Sequence, residues 1–411
     1  MRKLGNLLFL CQNAPFPPHG GQQIRSLNTL KILSQHFNVA TISFFRKAIH
    51  PDSASVASSL DGLSEFTESA LFGIPGESSR IRFLFDHLRS LLSPNSYVWT
   101  SYQSDDFLNR VKLTLGKSRP DVVHVDSLDL AYYLQYLPLS RTVVAHHNIE
   151  SSLLYRRGQN EGGIRGRYLR LQSSRVRTEE AEWTARVRHN WVVSAADGQT
   201  LGEISPDARW SVFPNGVDTS FLKPGFPEGG PKFDCVFVGG YTWFPNPDGM
   251  RHFAKEILPI LRNNRKQISV LWVGRAPEKV VAEFKNLGIQ MTGYVDDIRP
   301  WVQRARCFIV PIRVGGGTRL KILDAWALGK AVISTTVGCE GLAAVHGKNL
   351  LIADGPATFA EKVSSVLDDP ELRMSLEKEG RKTAVENYDW SVIQRRVIPV
   401  YEEIAGGSKS P

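Results

Sequence analysis

The chain has 411 residues, of which 42% are hydrophobic and 22% are charged, a balance typical of a soluble globular protein. Its length predicts two domains, and its apolar runs are far shorter than the roughly 18 residues of a membrane helix, which argues against an integral membrane protein. The net charge of +9 admits an anionic substrate, an anionic membrane or nucleic acid as a partner.

The four cysteines, Cys11, Cys235, Cys307 and Cys339, are scattered, with no Cys-x-x-Cys pair and no histidine cluster beside them. This pattern predicts buried, reduced thiols in a cytosolic protein and no structural zinc. The N-terminus has two basic residues before the apolar residues 7–10 and superficially resembles a signal peptide. Because the apolar run is short and three prolines follow it, we interpret it as the first strand.

The N-terminal half alternates between apolar runs and helical patterns. A Pro/Gly loop at 14–21 precedes a predicted helix at 22–34, whose apolar residues share one face. Residues 51–105 are polar and helical in places, and no strand is predicted there. The alternation favours a parallel sheet with helices on both faces. Strands are predicted at 6–11, 38–45, 121–125, 142–145 and 191–194.

A segment rich in proline and glycine, 213–232, is predicted to link two domains. In the series that follows, Asn246 is predicted to cap a helix that has Pro247 at its first position and ends near residue 261. The predicted organisation is an N-terminal domain at 1–212, a C-terminal domain at 233–387 and a closing helix at 388–411 that crosses back to the first domain. Strands of the second domain are predicted at 234–238, 269–273, 289–292, 307–311 and 331–334.

The most informative stretch is 315–318, Gly-Gly-Gly-Thr, with Arg319 and Lys321 directly after it. It joins a predicted strand to a helix at 320–328, so backbone N–H groups are expected to point at whatever lies above the loop. The helix dipole disfavours each cation in the first turn by ~0.3–1 kcal/mol, unless a bound anion compensates them. A diphosphate would fit. The alternative is a surface loop whose basic side chains extend into water.

Positive charge is concentrated between Arg156 and Arg188, where there are nine arginines and four glutamates. Aromatic residues occur there, but RNA-binding motifs and Cys/His finger spacings do not, so nucleic acid is not expected as a partner. We favour contact of this basic, partly amphipathic segment with anionic lipid. A solvated helix face is the alternative.

Several short motifs, each present once, follow one another over nearly the whole chain. They are 147–151 (His-Asn-Ile-Glu-Ser), 193–197 (Val-Ser-Ala-Ala-Asp), 214–218 (Pro-Asn-Gly-Val-Asp), 239–246 (Gly-Gly-x-x-Trp-x-Pro-Asn), 292–297 (Thr-Gly-Tyr-Val-x-Asp), 315–324, 338–342 (Gly-x-Glu-Gly-Leu) and 388–390 (Tyr-Asp-Trp). Each motif is weak alone. As an ordered set they resemble the GT-B glycosyltransferases, and within them the group-1-like transferases of family 4 that build bacterial polysaccharides.

The resemblance implies an α/β fold of two doubly wound Rossmann-like domains facing across a cleft. It implies that the second domain holds a UDP- or GDP-sugar and that the first holds a glycan, lipid-linked or other hydroxyl acceptor. Retaining transfer in cell-surface polysaccharide or glycoconjugate synthesis is implied, without a cofactor or metal, and the sequence has no Asp-x-Asp pair to carry one onto a diphosphate. The expected location is the cytoplasm, with peripheral contact at the inner face of the cell membrane.

By the same resemblance, the second domain supplies most donor contacts. Arg319, Lys321 and the loop amides are expected to stabilise the departing diphosphate more in the transition state than in the ground state. Asp324 is expected to accept hydrogen bonds from the ribose, or else to pair with Lys321. Tyr294 and Val295 would flank the base, or only pack at a strand end. The expected donor-binding residues are Gly20, Gly21, Asn215, Gly239, Gly240, Asn246, Tyr294, Val295, Gly315, Gly316, Gly317, Thr318, Arg319, Lys321 and Asp324.

In the first domain, His147 is expected nearest the chemistry, although the adjacent His146 leaves the choice of ring open and an ordinary structural histidine is the alternative. Glu150 is either an acceptor-side carboxylate or an acid favoured at a helix N-terminus. Gly20 and Gly21 resemble a loop whose amides approach the phosphates. The alternative there is a turn that requires positive φ, and the two are compatible. The catalytic candidates are His147, Arg319 and Lys321.

Two features depart from the family's pattern. The first of the family's two glutamates, eight positions before the ribose-binding acid, falls on Gly316, which leaves the donor sugar open. The arginine and lysine that often follow the first strand of the second domain are absent from 240–246. We hypothesise that Arg319 and Lys321 replace that pair.

Two other functions remain as alternatives. A nucleotide-sugar 2-epimerase would share the fold but needs acid–base groups over the sugar ring, for which only His147 and Glu150 are candidates. A non-catalytic basic protein that binds lipid or nucleic acid would have a degenerate donor site, and the intact glycine loop argues against that.

Overall fold

The computed structural model describes residues 3–18, 20–225, 230, 232–265 and 267–407. The chain divides into two compact units. The first is formed by Met1–Pro214 with Gln394–Pro411 and the second by Asn215–Ile393. Each unit is a parallel sheet with helices around it, which confirms the predicted α/β class.

The division points differ from the predicted boundaries. Part of the predicted linker at 213–232 lies outside the described residues, at 226–229 and 231, but its beginning belongs to the second unit. There the Val217 amide donates to the Tyr388 carbonyl (2.8 Å) and the Thr219 hydroxyl donates to Asp389 (2.5 Å). Residues 388–393 therefore also belong to the second unit, and the closing segment of the first unit begins at Gln394.

The first sheet has seven parallel strands. They are β1 (Asn6–Cys11), β2 (Asn38–Phe45), β3 (Glu68–Gly73), β4 (Val122–Val125), β5 (Thr142–Ala145), β6 (His189–Val192) and β7 (Trp210–Val212). Their order in the sheet is β3-β2-β1-β4-β5-β6-β7. The central strands are continuous apolar runs because helices cover both faces of a parallel sheet, and the side chains of residues 7–11 are all buried.

Nine helices of the described residues surround this sheet before residue 214. They are α1 (Gly21–His36), α2 (Ser53–Ser64), α3 (Arg80–Leu92), α4 (Tyr97–Ser101), α5 (Asp105–Ser118), α6 (Ala131–Leu134), α7 (Glu150–Glu161), α8 (Gly163–Arg186) and α9 (Ala195–Ile204). The core packs Phe44 of β2 against Phe107 of α5, with 4.2 Å between ring centroids.

The second sheet has six parallel strands in the described residues. They are β8 (Phe233–Val238), β9 (Val270–Val273), β10 (Ile289–Met291), β11 (Ala305–Val310), β12 (Ala331–Ser334) and β13 (Leu351–Ile352), in the order β10-β9-β8-β11-β12-β13. The helices that follow residue 214 are α10 (Pro245–His252), α11 (Leu258–Asn264), α12 (Glu278–Asn286), α13 (Arg299–Gln303), α14 (Leu320–Ala327), α15 (Pro356–Asp368), α16 (Pro370–Thr383) and α17 (Trp390–Gly407).

Every predicted strand is present, with ends shifted by at most two residues. Three strands were missed. β3 lies at the edge of its sheet, is half-exposed and begins Glu-Ser-Ala, so the expectation that 51–105 contains no strand is wrong. β7 and β13 have only three and two residues, too few for a periodic pattern.

The predicted cap at Asn246 is also wrong. α10 begins at Pro245, so this proline takes the first helical position. The Asn246 side chain donates instead to the carbonyl oxygen of Gly240 (2.7 Å). A tertiary contact with the preceding loop has replaced the local one.

Candidate functional site

The second sheet changes direction between β8 and β11, because the chain first builds out to β10 and then continues on the other side of β8. At such a point the loops after the two strands diverge, and ligands bind outside their carboxyl ends. Here the loops are Gly239-Gly240, after β8, and residues 311–319, after β11. Most of the predicted donor-binding residues lie on or beside them.

Glycine is required at this edge by close approach. A Cβ at Gly274, which follows β9, would lie 2.2 Å from the Gly239 carbonyl oxygen, and a Cβ at Gly239 would lie 2.5 Å from the Asn246 amide nitrogen. The Gly274 amide donates to the carbonyl of Gly293, which follows β10 (3.1 Å). The ends of β8, β9 and β10 therefore form one continuous edge of backbone.

Lys321 and Asn246 join the two diverging loops. The Lys321 ammonium donates to the Asn246 side-chain oxygen (2.6 Å), and the Asn246 amide donates to Gly240. The same ammonium lies 4.0 Å from the centroid of the Phe237 ring and 5.8 Å from that of Trp243. A cation is thus held beside the glycine pair by a hydrogen bond and two aromatic rings.

The pKa of Lys321 is lowered and that of Asp324 is raised, and burial is the main cause of both shifts. Burial lowers the pKa of Lys321 well below its ordinary value, and the charge of Arg319 lowers it further, against the attraction of Asp324. Burial raises the pKa of Asp324 to about 7, although the charge of Lys321 opposes the rise. Among the described residues, the Asp324 carboxylate has no hydrogen bond and no ion pair, so pairing with Lys321 is not observed.

Arg319 folds back onto the glycine loop. Its side chain is buried, and its guanidinium donates to the carbonyls of Gly316 and Gly317 and, at 3.4 Å, to that of Val337. The alternative that the basic side chains extend into water is therefore not observed for Arg319. Arg319 braces the loop after β11 against the loop after β12, and its contact with a diphosphate stays a prediction.

The rest of the glycine loop is fixed by contacts within the second unit. The Thr318 hydroxyl accepts a hydrogen bond from Asn215 (2.6 Å). Gly317 has φ +67°, in the left-handed region that favours glycine. A Cβ at Gly315 would lie 2.7 Å from the Arg319 guanidinium. Asn215 and the loop thus lie together, and the predicted contact of Asn215 with a donor stays a prediction.

Tyr294 and Val295 follow β10 at the same edge. The Tyr294 side chain is exposed, and the Arg275 guanidinium lies 5.2 Å from the centroid of its ring. Val295 is half-buried and packs against the apolar core. The alternative of packing at a strand end is therefore observed for Val295, whereas the contact of Tyr294 with a base stays a prediction.

The helices that begin at this edge have uncapped N-termini. Within the part of the chain that the structure describes, no side chain caps α10 or α14, whereas Ser194 caps α9 and Asp369 caps α16. The first amides of a helix need partners from outside the helix, and together with the helix dipole they favour an anion. Two such ends flank the Lys321 ammonium.

The first sheet changes direction between β1 and β4. Asp126 directly follows β4, is buried, and accepts hydrogen bonds from the Ser26 hydroxyl and the Cys11 thiol. Burial acts to raise the pKa of Asp126, but the charge of His147 and hydrogen bonds from His124 and His147 hold it well below its ordinary value. The carboxylate is therefore ionised at neutral pH.

His147 joins this group, and His146 does not. Nε2 of His147 lies 2.7 Å from the Asp126 carbonyl oxygen, and Nδ1 lies 3.5 Å from the buried Arg25 guanidinium. His146 instead contacts Asn190 of β6 (3.1 Å), and burial lowers the pKa of His146 to about 4. Of the two rings, His147 is the one beside the reversal point, while its catalytic role stays a prediction.

Glu150 belongs to a group of acids. It is the first residue of α7 and accepts a hydrogen bond from Asn148 (3.0 Å). Burial and the charge of Glu150 raise the pKa of Asp129 to about 8. Burial also raises the pKa of Glu180 to about 7, although hydrogen bonds from Ser151 oppose the rise. The position of Glu150 fits the alternative of an acid favoured at a helix N-terminus. The clustering of Glu150 with Asp129 and Glu180 was not predicted from the sequence.

Gly20 and Gly21 lie at the start of α1. Gly20 has φ −153°, which is extended backbone, and a Cβ there would meet no atom within 4 Å. A turn requiring positive φ is therefore wrong for Gly20. Since no side chain of the described residues caps α1, its N-terminal amides resemble those of α10 and α14 in this respect.

Two residues of these groups, Arg25 and Asp126, were not predicted. Asp126 could have been predicted from the sequence, because it is a carboxylate directly after a buried strand. Arg25 carried none, since its guanidinium is bonded to the carbonyls of His146 and Phe213, far away in sequence.

In the described part of the chain, no helix is long and apolar enough to cross a membrane. Within the same residues, histidine, cysteine and acidic side chains form no group of three that could hold a metal ion. All four cysteines are buried and free, as predicted.

Comparison with known proteins gives a family match in the second unit. Residues 232–369 match the family model described as "Glycosyl transferases group 1". The chain is 25% identical to a D-inositol 3-phosphate glycosyltransferase of Corynebacterium efficiens, over 51% of this chain and 52% of that protein. It is 27% identical to a phosphatidyl-myo-inositol mannosyltransferase of Mycolicibacterium smegmatis, over 47% and 52%. The chain spans about half the length of the curated relatives it matches.

Solved structures are similar over nearly the whole chain. Sucrose-phosphate synthase from Thermosynechococcus elongatus has a TM-score of 0.70 and 16% identity, covering 99% of this chain and 100% of that one. Anabaena HepE in complex with UDP has a TM-score of 0.67 and 14% identity, covering 97% and 100%. At these identities the likeness shows the fold alone. The chain therefore has the fold of the GT-B glycosyltransferases, and its second unit matches the group 1 family of glycosyl transferases.

Proposed function

We propose that this protein transfers a sugar from a nucleoside diphosphate sugar to a hydroxyl acceptor, with retention of anomeric configuration and without a metal ion. The observation that carries the proposal is the second unit's reversal point. There the Lys321 ammonium, the Gly239-Gly240 backbone and two uncapped helix ends lie together. This combination of a cation, main-chain donors and helix dipoles suits a diphosphate.

The charge of Lys321 is the main electrostatic contribution of the site. Burial disfavours the ammonium, so an anion that neutralises it would raise the pKa of Lys321 back toward its ordinary value. During transfer the bond between the anomeric carbon and the diphosphate oxygen breaks, and the diphosphate leaves with the bonding electrons. An ammonium held in place by Asn246 would stabilise that growing charge without reorganising.

The nucleoside would lie between Asp324 and Tyr294. The Asp324 carboxylate has no partner among the described residues, so ribose hydroxyls would satisfy it. The exposed Tyr294 ring would stack on the base. The UDP bound by Anabaena HepE supports uridine as the first base to test, with guanine as the second.

The first unit is proposed to hold the acceptor, with His147 as its catalytic residue. Asp126 would orient the His147 ring through its carbonyl and carboxylate oxygens. The mannosyltransferase relative is named for a phosphatidylinositol acceptor. Together with the arginines at 156–188, this supports a lipid-borne acceptor at an anionic membrane, in the synthesis of a cell-surface glycan or glycolipid.

The proposal is tested by nucleotide binding to the whole protein. UDP, GDP, ADP and CMP are compared by thermal shift, with EDTA or with magnesium. One diphosphate is expected to raise the melting temperature equally in both conditions, because binding to the folded state alone stabilises it. Failure of all four to shift the transition would contradict the donor site, and a shift only with magnesium would contradict metal independence.

Lys321→Ala, compared with Lys348→Ala, tests the contribution of Lys321 to catalysis. Lys348 is an exposed lysine of the same unit. Loss of one charge-stabilising donor is expected to lower kcat about 100- to 1000-fold, while Lys348→Ala keeps the wild-type rate. The rate is read as nucleotide release that depends on an added acceptor, which also separates transfer from epimerisation. Equal rates in the two variants would remove Lys321 from the chemistry.

A further inference from the structure

Helix α3 presents its apolar side to solvent. Ile81, Leu84, Leu88 and Leu92 recur at helical spacing and are 81%, 60%, 61% and 92% exposed. Phe83, Phe85 and Leu91 are also exposed. Single exposed apolar residues are ordinary on a protein surface, but six of these seven lie on one face of a thirteen-residue helix and form a patch that marks an interaction site. Phe83 lies on the other side, where its ring packs against His87 and Tyr97.

The polar side of the same helix is buried. Asp86 and Ser90 are both 0% exposed. The Asp86 carboxylate accepts two hydrogen bonds from Arg82, at 2.8 and 3.0 Å, and the Ser90 hydroxyl accepts one from Gln172 (3.2 Å). The usual arrangement of a surface helix is therefore reversed on its two main faces, since Asp86 and Ser90 face the protein while the apolar patch faces outward.

Helix α3 is held against α8, the longest helix of the basic segment. Nδ1 of His87 lies 2.5 Å from the Tyr168 hydroxyl, and Arg175 donates to the Leu91 carbonyl (3.2 Å). With the bond from Gln172 to Ser90, these contacts run along both helices. Helix α3 therefore packs on α8 through the side that lies away from its apolar patch, and Arg175 of α8 reaches the C-terminal end of α3.

The surroundings of the patch are strongly basic. The stretch from Arg156 to Arg177 contains seven arginines and one glutamate, Glu161, while α3 adds Arg80 and Arg89 at exposed positions. Ile164, in the first turn of α8, is 87% exposed and is followed by the exposed Arg165. Apolar side chains among cations are the composition of a surface that binds anionic lipid.

We infer that α3 docks this protein on an anionic membrane, with its apolar side in the lipid and the arginines of α7 and α8 on the headgroups. Thirteen residues of helix are roughly 20 Å long, too short to span a bilayer but sufficient to lie in its surface. The inference rests on the proposed function for its purpose, which is to bring a lipid-borne acceptor within reach. The lipid contact itself rests on the reversed helix and its charges.

The charges favour lipid over a second copy of the chain. A two-fold dimer through α3 would place the same residues of both copies against each other, and so would bring two sets of arginines together. Like charges in one interface are costly unless anions separate them. An anionic bilayer satisfies both the apolar side chains and the cations.

The test is flotation of the full chain with vesicles of phosphatidylcholine, with or without phosphatidylglycerol. Wild type is expected to float with the anionic vesicles and only weakly with the neutral ones, and salt should reduce its binding. Leu84→Ser/Leu88→Ser is expected to lower the affinity for anionic vesicles at least about tenfold, since two exposed apolar side chains no longer enter the lipid.

Val345→Ser/Met374→Ser is the matched control. These side chains are 51% and 57% exposed, close to Leu84 and Leu88, but lie in the second unit. The control is expected to float like wild type. If both double variants bind anionic vesicles like wild type, α3 is not the docking element. If wild type does not float with the anionic vesicles, or self-associates through α3, the inference is also wrong.

A label on the helix reports insertion directly. Because the native cysteines are buried, Leu88→Cys provides one exposed thiol for an environment-sensitive fluorophore. Its emission is expected to rise and shift to the blue with anionic vesicles, whereas no change would contradict insertion. Nucleotide binding measured without vesicles should be equal in wild type and Leu84→Ser/Leu88→Ser. Failure of nucleotide binding in both would contradict the proposed function and leave the lipid result intact.

Discussion

Lys321 and Asp324 lie three residues apart on α14, yet they have different surroundings. The ammonium is bonded to Asn246, whereas the carboxylate has no partner among the described residues. With a pKa of about 7, Asp324 is half protonated at neutral pH. Hydrogen bonds from ribose hydroxyls would favour its ionised form.

The affinity for the diphosphate nucleotide is therefore expected to rise with pH through the pKa of Asp324. If only the ionised carboxylate accepts the ribose hydroxyls, the competent fraction grows from about a tenth at pH 6 to about nine tenths at pH 8, so Kd falls about tenfold. Asp324→Asn removes this dependence. The nucleotide's own phosphate titration is common to both proteins, so the difference between their calorimetric pH profiles isolates Asp324. Parallel profiles would contradict the ribose role.

Arg319 is predicted to act mainly by holding the loop. Arg319→Ala leaves the carbonyls of Gly316, Gly317 and Val337 without this donor, and one hydrogen bond to a charged group contributes about 1.5–3 kcal/mol. We expect the free energy of unfolding of the second unit, measured in urea, to fall by at least that amount.

Arg313→Ala is the control for this measurement, because Arg313 lies on the same loop in a half-exposed ion pair with Asp248 (2.9 Å). Such pairs contribute ~0–1 kcal/mol. Equal stability of Arg319→Ala and wild type would show that Arg319 is not a brace. Lost nucleotide affinity at unchanged stability would instead favour direct contact with the diphosphate.

At the scale of elements, prediction from sequence succeeded where a local pattern decides the structure. β1 and β12 were predicted to the residue, because each is a short apolar run covered on both faces. The end of α14 was predicted from Gly329, because glycine readily adopts the left-handed conformation that ends a helix, and its φ is +65° in the structure. β3 was missed because its place at the sheet edge depends on pairing with β2, which is not a property of its own composition.

The candidate site was predicted less completely for the same reason. The glycine loop, Lys321 and Asp324 form a continuous motif that can be read along the chain. The hydrogen bond from Asn246 to Gly240 replaces the helix cap that the local sequence predicts. The contact of Arg25 with His147 joins two segments that are far apart in the sequence. Such contacts arise only after the sheets are assembled, so no periodicity or spacing indicates them.

The packed edge formed by the ends of β8 and β9 gives a prediction for one glycine. In Gly274→Ala the new methyl group would lie 2.2 Å from the Gly239 carbonyl oxygen, so the two loops must separate. Overpacking of this kind costs about 1–3 kcal/mol. We expect a lower melting temperature and weaker nucleotide binding, since Gly239 lies at the proposed diphosphate site.

Gly116→Ala serves as a control of opposite sign. Gly116 lies within α5, and a Cβ there meets no atom within 4 Å. Alanine in a helix is more favourable than glycine by roughly 0.5–1 kcal/mol, so this variant should melt slightly above wild type. If Gly274→Ala melts at the wild-type temperature, the close approach of the two loops is not essential.

At the scale of the whole molecule, the alternation of strands and helices was enough to predict two parallel sheets, whereas the borders between the units were not predictable. The second unit retains residues 388–393 through individual hydrogen bonds such as that from Thr219 to Asp389. The first unit is completed by Gln394–Pro411, the last segment of the chain. Its stability therefore depends on residues about 180 positions beyond Pro214.

Tyr401 tests this dependence. Its side chain is fully buried in the first unit, its hydroxyl lies 2.8 Å from Nδ1 of His124, and its ring centroid lies 6.0 Å from that of Trp191. Tyr401→Ala should destabilise the first unit by roughly 3–5 kcal/mol, the usual loss for a buried aromatic ring. Tyr401→Phe keeps the ring and loses one buried hydrogen bond, so about 1–3 kcal/mol is expected.

The measurement is urea unfolding with and without the stabilising nucleotide. If the donor site belongs to the second unit alone, Tyr401→Ala should move an early transition to lower urea, while the nucleotide still stabilises the later transition as in wild type. Calorimetry below the early transition should give an unchanged Kd. A Kd that weakens in parallel with the loss of stability would mean that the first unit contributes to nucleotide binding, and Gly20 and Gly21 at the uncapped start of α1 would then be the residues to substitute next.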